Sequence, residues 1–222
     1  MLTSSKSIYH KLKWSLLPIF RAKRMDRFFQ IMRPRPGAKI LDVGGLPALN
    51  GVPGLWNDHT TTYKITLLNL PGSFDRFSAS QLAQYELIEA DACNFRLSQS
   101  YDLVFSNALI EHVGNFQRQK LLANFILSAG NNHWVQTPSP LFPLEAHCDV
   151  PFWWFLTLSQ RKRMISKWYH GENPFTARQM ASTRPIWASQ LRQLFPDSRL
   201  TVEYFLGFPK SQIVYRRRND VG

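Results

Sequence analysis

Cysteine and long apolar runs are both scarce in this sequence. Its two cysteines, Cys93 and Cys148, are too few for a disulfide framework or a four-cysteine zinc site. No apolar run approaches the ~18 residues that a membrane-spanning helix needs. The longest aromatic and aliphatic block covers only residues 151–158. These absences argue against a disulfide-stapled secreted domain and favour a cytoplasmic location.

Acidic residues are outnumbered, with 15 Asp and Glu against 27 Lys and Arg, and the net charge is +12. The excess lies at the two ends, because residues 1–40 carry +9, residues 41–160 carry −5 and residues 161–222 carry +8. A protein that coats nucleic acid is more often basic throughout. The pattern therefore favours an acidic functional centre with basic flanks that can meet a phosphate-rich partner. A hydrophobic content of 44% excludes disorder throughout the chain.

A proline-rich break divides the chain into a short extension and one larger domain. Residues 1–35 mix aromatic and basic side chains, and we expect a helical extension there, divided at Pro18. Its helix either packs an apolar side on the domain or lies on an anionic membrane surface with its rings among the headgroups. Residues 36–222 suit a single domain, in which residues 138–190 form a lid that covers the substrate.

Short apolar segments separated by helices or long connections predict a doubly wound, mainly parallel α/β sheet. The tail differs, because two strand-like segments flank a turn at Gly207 and predict an antiparallel hairpin. A helix is expected over residues 108–128. The seven predicted strands cover residues 39–43, 65–70, 85–89, 101–106, 132–137, 199–206 and 211–215.

Polar residues and glycines follow one predicted strand after another. In sheets of this type, ligands bind at the carboxyl ends of the strands. Glycines let the backbone approach a ligand, and acids or amides accept hydrogen bonds from ribose hydroxyls or an adenine amino group. The set predicts a nucleoside pocket and consists of Asp42, Gly44, Gly45, Asn69, Asp91, Ala92 and Asn107.

Three stretches carry a resemblance to a known family: KILDVGG at 39–45, Asp91-Ala92, and YDLVFSNALIEHV at 101–113. Together they resemble the class I S-adenosylmethionine-dependent methyltransferases, most closely the methyltransferase type 11 group. The resemblance covers residues 24–215, and its third stretch is the most specific. It implies a Rossmann-like methyltransferase fold, S-adenosyl-L-methionine as the cofactor, and methyl transfer as the activity.

The resemblance also implies roles at individual positions. Asp42, with Gly44 and Gly45, would shape the loop beside the methionine part of the cofactor. Asn69 stands where the family usually has an acid that binds both ribose hydroxyls. Asp91 would bind the adenine amino group, with a backbone amide from Ala92, and Asn107 would lie beside the methionine moiety. The segment after Gly45 is rich in proline and glycine, which predicts a short or irregular helix there.

The segment after the fifth predicted strand, residues 136–156, combines prolines, aromatic rings and a few ionisable groups. Glu145 and His147 are candidates for a general base, because they are polar groups in an otherwise apolar lid. His112 is a further candidate for a catalytic role, although a purely structural role is also open. No metal site is predicted, since no His or Cys cluster accompanies this segment. Its aromatic block is protein core, a lid over the substrate, or a lipid-facing surface.

Three functions stay open on the sequence alone. The leading one is a methyltransferase that acts on a small molecule or on a lipid- or sugar-linked acceptor, with peripheral contact to an anionic membrane. The second is an RNA-binding or RNA-methylating protein, which would use the basic runs 161–163 and 216–218 on phosphates and show a steep salt dependence. The third is a relative that binds S-adenosylmethionine without catalysis. Nucleic acid is the weaker prediction, because no RNA-binding module is recognisable.

Overall fold

A computed structural model describes residues 18–49, 52–145, 147–171 and 173–218, and the predictions for residues 1–17 lie outside this part of the chain. A seven-stranded sheet forms its centre, beside a separate two-stranded ribbon. The strands are β1 (Lys39–Val43), β2 (Ala48–Leu49), β3 (Val52–Pro53), β4 (Lys64–Asn69), β5 (Glu86–Glu89), β6 (Leu103–Asn107), β7 (His133–Pro138), β8 (Arg199–Phe205) and β9 (Phe208–Arg216).

The strand order in the large sheet is β5-β4-β1-β6-β7-β9-β8. The first five of these strands are parallel, whereas β9 runs antiparallel to both β7 and β8. This confirms the predicted mainly parallel, seven-stranded sheet with a C-terminal hairpin. The chain winds to opposite sides of β1, because β4 lies on one side and β6 on the other. A ligand crevice is therefore expected at the carboxyl ends of β1 and β6.

Helices cover both faces of the sheet. The first, α1, includes residues 18–32. The others are α2 (Ala79–Leu82), α3 (Phe116–Ala129), α4 (Leu158–Tyr169), α5 (Pro174–Ser182) and α6 (Ala188–Leu194), with a short 3-10 helix at Trp153–Phe155. None of these described helices has the length and apolar character needed to cross a membrane.

Helix α1 packs its apolar side against the sheet. Phe28 is fully buried, and its ring meets Trp56, Phe105 and Trp134 edge to face at centroid distances of 5.6, 5.2 and 5.6 Å. Burial of such a ring is worth about 3–5 kcal/mol relative to alanine. The described part of the predicted extension therefore belongs to the core, and its position across the sheet is fixed.

The helix predicted over residues 108–128 begins later than expected, at Phe116. Ala108 and Gly114 have positive φ angles of 52° and 117°, which an α-helix does not allow. Asn115 then caps the helix, because its side chain accepts from the backbone N–H of Arg118. Residues 110–112 therefore form a turn, and Glu111 and His112 project from that turn and not from a helix.

Residues 139–187, which follow β7, are called the cap here. Helix α4 begins in a reciprocal capping box between Thr157 and Gln160, and α5 begins with Asn173 as cap and a proline in its first turn. None of the side chains of α4 is buried. The cap coincides closely with the lid predicted from the sequence, and its role as a cover for the acceptor stays a prediction.

Candidate functional site

A bare backbone loop follows β1. Gly44 has a φ of +86°, and a Cβ there would lie 3.0 Å from the side chain of Leu109. A Cβ at Gly45 would lie 2.4 Å from Oδ2 of Asp42, closer than real side chains come. Both positions therefore require glycine. The loop presents backbone without side chains at the carboxyl end of β1, as a cradle for a ligand does.

Asp42 is buried beneath this loop and accepts a hydrogen bond from Nε1 of Trp56 at 2.9 Å. Burial raises the pKa of Asp42 to about 7, against the opposing effects of the Trp56 bond and of the Arg21 charge. Burial likewise lowers the pKa of Arg21, whose Nη1 atom is buried and has no hydrogen-bond partner among the described residues. A buried donor without an acceptor is uncommon, and it makes Arg21 a candidate to bind an anionic or polar group.

Arg24, one helical turn after Arg21, ties α1 to two strands. Its Nη1 donates to Oδ1 of Asn107 at 2.9 Å, and its Nη2 lies 3.2 Å from the carboxylate of Glu203. The hydroxyl of Ser211 also donates to Glu203. Asn107, predicted to lie beside the methionine moiety, is at the carboxyl end of β6. Its amide oxygen already accepts the hydrogen bond from Arg24 of α1.

Asn69, at the end of β4, is also bonded within the protein. Its Nδ2 donates to the backbone oxygen of Gly45 at 3.1 Å. Its Oδ1 accepts from the backbone N–H of Leu70 at 2.9 Å and from the hydroxyl of Ser73 at 3.1 Å. The side chain therefore supports the glycine loop, and contact with a ribose stays a prediction.

Asp91 follows β5 and pairs with Arg118 of α3 at 2.8 Å. The hydrogen bond from Arg118 lowers the pKa of Asp91 and keeps it ionised. The backbone N–H of Cys93 donates to the same carboxylate at 3.0 Å, and Ala92 is buried next to it. Asp91 thus caps a tight turn at the carboxyl edge of the sheet, and its contact with an adenine, which the family resemblance implies, stays a prediction.

The predicted base candidates of the cap form a hydrogen-bonded pair. Nδ1 of His147 donates to Oε1 of Glu145 at 2.8 Å. Oε2 of Glu145 accepts from the backbone N–H groups of His147 at 2.6 Å and Cys148 at 3.0 Å. Burial alone would raise the pKa of Glu145, but these bonds and the His147 charge overcome it and lower the pKa. Glu145 therefore stays a carboxylate that orients the imidazole of His147.

His112 meets this pair from the turn before α3, with its ring edge to face with that of His147 and centroids 4.8 Å apart. The hydroxyl of Thr183 donates to the backbone oxygen of Gln179 at 2.8 Å, so its oxygen accepts from Nδ1 of His112 at 3.2 Å. Burial, followed by the charge of His147, lowers the pKa of His112 to about 4. The ring is therefore neutral near pH 7, with the lone pair on Nε2.

Glu111 completes the cluster and was not among the predicted site residues. Its Oε2 accepts from the hydroxyl of Thr137 at 2.9 Å, and its Oε1 lies 3.9 Å from Nε2 of His112. Oε1 is buried and has no hydrogen-bond partner among the described residues. Burial raises the pKa of Glu111 to about 7, so the group gains and loses a proton near neutrality. Among the described residues, no three His, Cys, Asp or Glu side chains are arranged to hold a metal ion.

The structure thus brings the three predicted catalytic residues into one cluster and aligns the predicted cofactor residues along the same carboxyl edge. Sequence reasoning missed Arg21, Trp56, Glu111 and Thr183. Only Glu111 had a local signal, since it lies in the most specific of the three family-like stretches. The other three reach the site from elements that carry no recognisable motif.

Several solved structures that resemble this one are methyltransferases. SibL, an S-adenosylmethionine-dependent methyltransferase in its apo form, matches with a TM-score of 0.57 and 17% identity, over 92% of this chain and 56% of SibL. NodS, an N-methyltransferase from Bradyrhizobium japonicum WM9 in complex with S-adenosyl-L-homocysteine, matches with a TM-score of 0.57 and 7% identity, over 91% of this chain and 89% of NodS. DhpI, solved with the same compound, matches with a TM-score of 0.55 and 11% identity, over 95% and 91% of the two chains.

The chain therefore has the fold of the class I S-adenosylmethionine-dependent methyltransferases, as the sequence predicted. At these identities the likeness establishes the fold. The chain spans little more than half the length of SibL. No protein-family model and no curated protein matches the sequence.

Proposed function

We propose that this protein transfers the methyl group of S-adenosyl-L-methionine to a small molecule or to a lipid- or sugar-linked acceptor. One observation carries this proposal: two imidazoles and two carboxyl groups meet at the carboxyl edge of a methyltransferase-fold sheet, the same edge that carries the bare glycine loop. A cytoplasmic location belongs to the same proposal and is supported by the unpaired state of both Cys93 and Cys148.

The residues of the carboxyl edge fit the proposed cofactor. Gly44 and Gly45 provide the cradle that a Cβ would fill. The orphaned Nη1 of Arg21 is a donor suited to the carboxylate of the methionine part. Asp91 offers oxygen acceptors for amino and hydroxyl groups of the nucleoside, whereas Asn69 would have to exchange one of its present hydrogen bonds to contact the ribose. We assign these residues to cofactor binding and the cap to acceptor binding.

When bound, S-adenosyl-L-methionine supplies an electrophilic methyl group on a sulfonium. The protein's own part is to position the acceptor, to exclude water and to take up a proton. His147 is suited to accept that proton, because Glu145 fixes its orientation and stabilises the imidazolium that forms. His112 presents a neutral Nε2 that can accept a hydrogen bond from the acceptor, and Oε1 of Glu111 lies 3.9 Å from this nitrogen.

The RNA hypothesis receives less support from the arrangement of the basic runs. Arg161–Arg163 lie on α4 in the cap. Arg216 pairs with His133 at the amino end of β7, so the run 216–218 lies at the opposite edge of the sheet. A single phosphate backbone would have to wrap around the domain to meet both runs.

Two measurements test the proposed function. Calorimetry with S-adenosyl-L-homocysteine should show saturable one-to-one binding, and S-adenosyl-L-methionine with a labelled methyl group should label a component of small-molecule or lipid extracts of the source cells. The His147→Ala variant should bind S-adenosyl-L-homocysteine and fail to label. Absence of binding contradicts the proposal, whereas binding without transfer to any extract supports a non-catalytic relative.

A further inference from the structure

We propose that the cap is a membrane-docking surface that lies on an anionic lipid bilayer, and that the acceptor is an amphiphile drawn from that bilayer. The second half of this inference rests on the proposed methyl transfer, whereas the first half stands on the surface alone. The occupant is a lipid surface carrying negative charge. An acidic protein or a second copy of this chain are the rival occupants that the experiment below separates.

Large apolar side chains are exposed mainly on the cap. Of thirteen such residues in the described chain, seven lie between residues 139 and 187. Soluble surfaces expose single apolar residues everywhere, so their concentration in one segment is the informative feature. The seven are Leu141, Phe152, Phe155, Leu158, Tyr169, Phe175 and Trp187.

Two of these side chains are neighbours in space, and a third lies close to them in the chain. The rings of Phe155 and Trp187 are 6.5 Å apart at their centroids. Leu158 follows three residues after Phe155, and these two side chains are 67% and 59% exposed. Neither would gain from exposure to water, and both suit the boundary between lipid headgroups and acyl chains.

The same surface is strongly basic. Residues 150–187 contain six Lys or Arg and a single acid, Glu172. On α4, Lys162, Arg163 and Lys167 are exposed and form no ion pair with any described carboxylate. Exposed apolar rings beside unpaired cations are the combination that an anionic bilayer stabilises, because each Lys or Arg near it adds attraction.

A second basic surface shows that charge alone does not single out the cap. A groove of about 920 Å³ at the amino edge of the sheet is lined by Arg33, Arg35, Lys39, Arg217 and Arg218. None of the exposed large apolar side chains of the described chain lies in this groove. The groove can attract an anionic vesicle from a distance but cannot insert into it, so it provides an internal control for the cap.

The docking surface is continuous with the candidate site. Trp153 is buried in the cap and stacks on Trp168 of α4, with centroids 5.4 Å apart. The 3-10 helix that holds Trp153 follows the Glu145–His147 segment in the chain, after residues 148–152. A bilayer against α4 would therefore lie next to the segment that holds the proposed base. An acceptor with a polar headgroup and an apolar anchor could enter the site without leaving the lipid.

Vesicle flotation of the full chain tests the docking role, with phosphatidylcholine vesicles that contain either no phosphatidylglycerol or ~30 mol% of it. We expect wild-type binding only to the anionic vesicles. The charge variant Lys162→Gln/Arg163→Gln/Lys167→Gln and the apolar variant Phe155→Ser/Leu158→Ser should each bind at least ~10-fold more weakly. The matched control Arg33→Gln/Arg217→Gln/Arg218→Gln removes the same charge from the groove and should change binding less than ~2-fold.

Three results would overturn the docking role: no flotation of the wild type, equal losses in the groove control and the cap charge variant, or an apolar variant that floats like the wild type. A wild-type dimer that the apolar variant converts to a monomer, with flotation unchanged, would assign the surface to a second copy. Affinity for S-adenosyl-L-homocysteine separates the two proposals, because we expect it unchanged in every cap variant. Binding of this compound without flotation would contradict the docking role alone. Flotation without such binding would contradict the proposed methyl transfer alone.

Discussion

The imidazoles of His112 and His147 meet edge to face, with ring centroids 4.8 Å apart, although one projects from the turn after β6 and the other from the cap. Each ring has a separate second partner. Glu145 holds His147, and Thr183 holds His112. The contact therefore joins the two segments that would have to enclose an acceptor, and His147, the proposed proton acceptor, lies where they join.

Turnover should depend on His147 far more than cofactor binding does. His147→Ala removes the proposed base, and Glu145→Gln removes the charge that stabilises its imidazolium, so each should lower kcat about 10²-fold or more. Affinity for S-adenosyl-L-homocysteine should stay within ~2-fold of the wild type, since neither residue belongs to the glycine loop. His170→Ala is the matched control, because His170 lies exposed at the end of α4. Full activity of His147→Ala with any acceptor would contradict the role of a base.

Arg21 should determine affinity for the amino-acid part of the cofactor. Its buried Nη1 lacks an acceptor among the described residues, and a carboxylate would satisfy it with a charge-assisted bond worth about 1.5–3 kcal/mol. Arg21→Met should therefore weaken S-adenosyl-L-homocysteine binding about 10- to 100-fold. Binding of 5′-methylthioadenosine, which lacks the amino-acid part, should change less than ~2-fold.

A control for Arg21 is available on the same helix. Arg27 is bonded to Thr201 and to the backbone of Val202, so Arg27→Met tests the general effect of removing a cation from α1. We expect Arg27→Met to leave the affinities for both compounds unchanged. Equal losses for the two compounds in Arg21→Met would place this side chain away from the carboxylate.

The sheet and its carboxyl edge were predictable because their signals are local. Each central strand is a run of four or five buried residues, most of them apolar, and the polar residues or glycines that follow it mark its end. Topology then brings these ends to one edge, whatever the details of the side chains. The terminal hairpin was equally predictable, since Gly207 separates two strand-like segments in the sequence. In the structure this glycine has a φ of +79°.

The supporting contacts were not predictable because they join residues that are distant in the chain. Thr183 and His112 are 71 positions apart, and Thr137 and Glu111 are 26 apart. Trp56 reaches Asp42 from the irregular segment after the glycine loop, which has no periodic pattern.

The start of α3 was misplaced for a local reason: apolar residues before Asn115 continue the helical spacing, but the backbone at Ala108 and Gly114 has positive φ.

Gly45 should tolerate no side chain. A methyl group there would lie 2.4 Å from Oδ2 and 2.6 Å from Cγ of Asp42, which Trp56 holds in place. We expect Gly45→Ala to destabilise the fold by about 1–3 kcal/mol and to weaken S-adenosyl-L-homocysteine binding at least ~10-fold, measured by denaturant unfolding and by calorimetry. Gly207→Ala is the control, because that glycine has a positive φ but no atom within 4 Å of the point where a Cβ would lie. It should cost stability and leave the affinity intact.

Glu111 should make folding stability fall as the pH rises. Its pKa is raised from 4.5 to about 7 by burial. Between these two values the folded state keeps a proton that the unfolded state releases, so the free energy of unfolding decreases by up to ~1.4 kcal/mol per pH unit. Its contribution is fully present below pH 4.5 and is lost as the pH approaches 7. Most paired carboxylates, whose pKa values are lowered by folding, have the opposite effect.

The Glu111→Gln variant isolates this effect, because Gln keeps an oxygen for the Thr137 hydroxyl and cannot ionise. Denaturant unfolding at about pH 5 and about pH 8 should show a smaller loss of stability in the variant than in the wild type, by about 2–3 kcal/mol. Asp42 has a pKa raised to about 7 by burial and contributes a slope of the same sign, so the variant should keep part of the pH dependence. Asp42→Asn should remove that contribution, whereas His112, whose pKa is lowered to about 4, keeps a slope of the opposite sign in every variant. Parallel pH profiles for wild type and Glu111→Gln would mean that folding does not raise the pKa of Glu111.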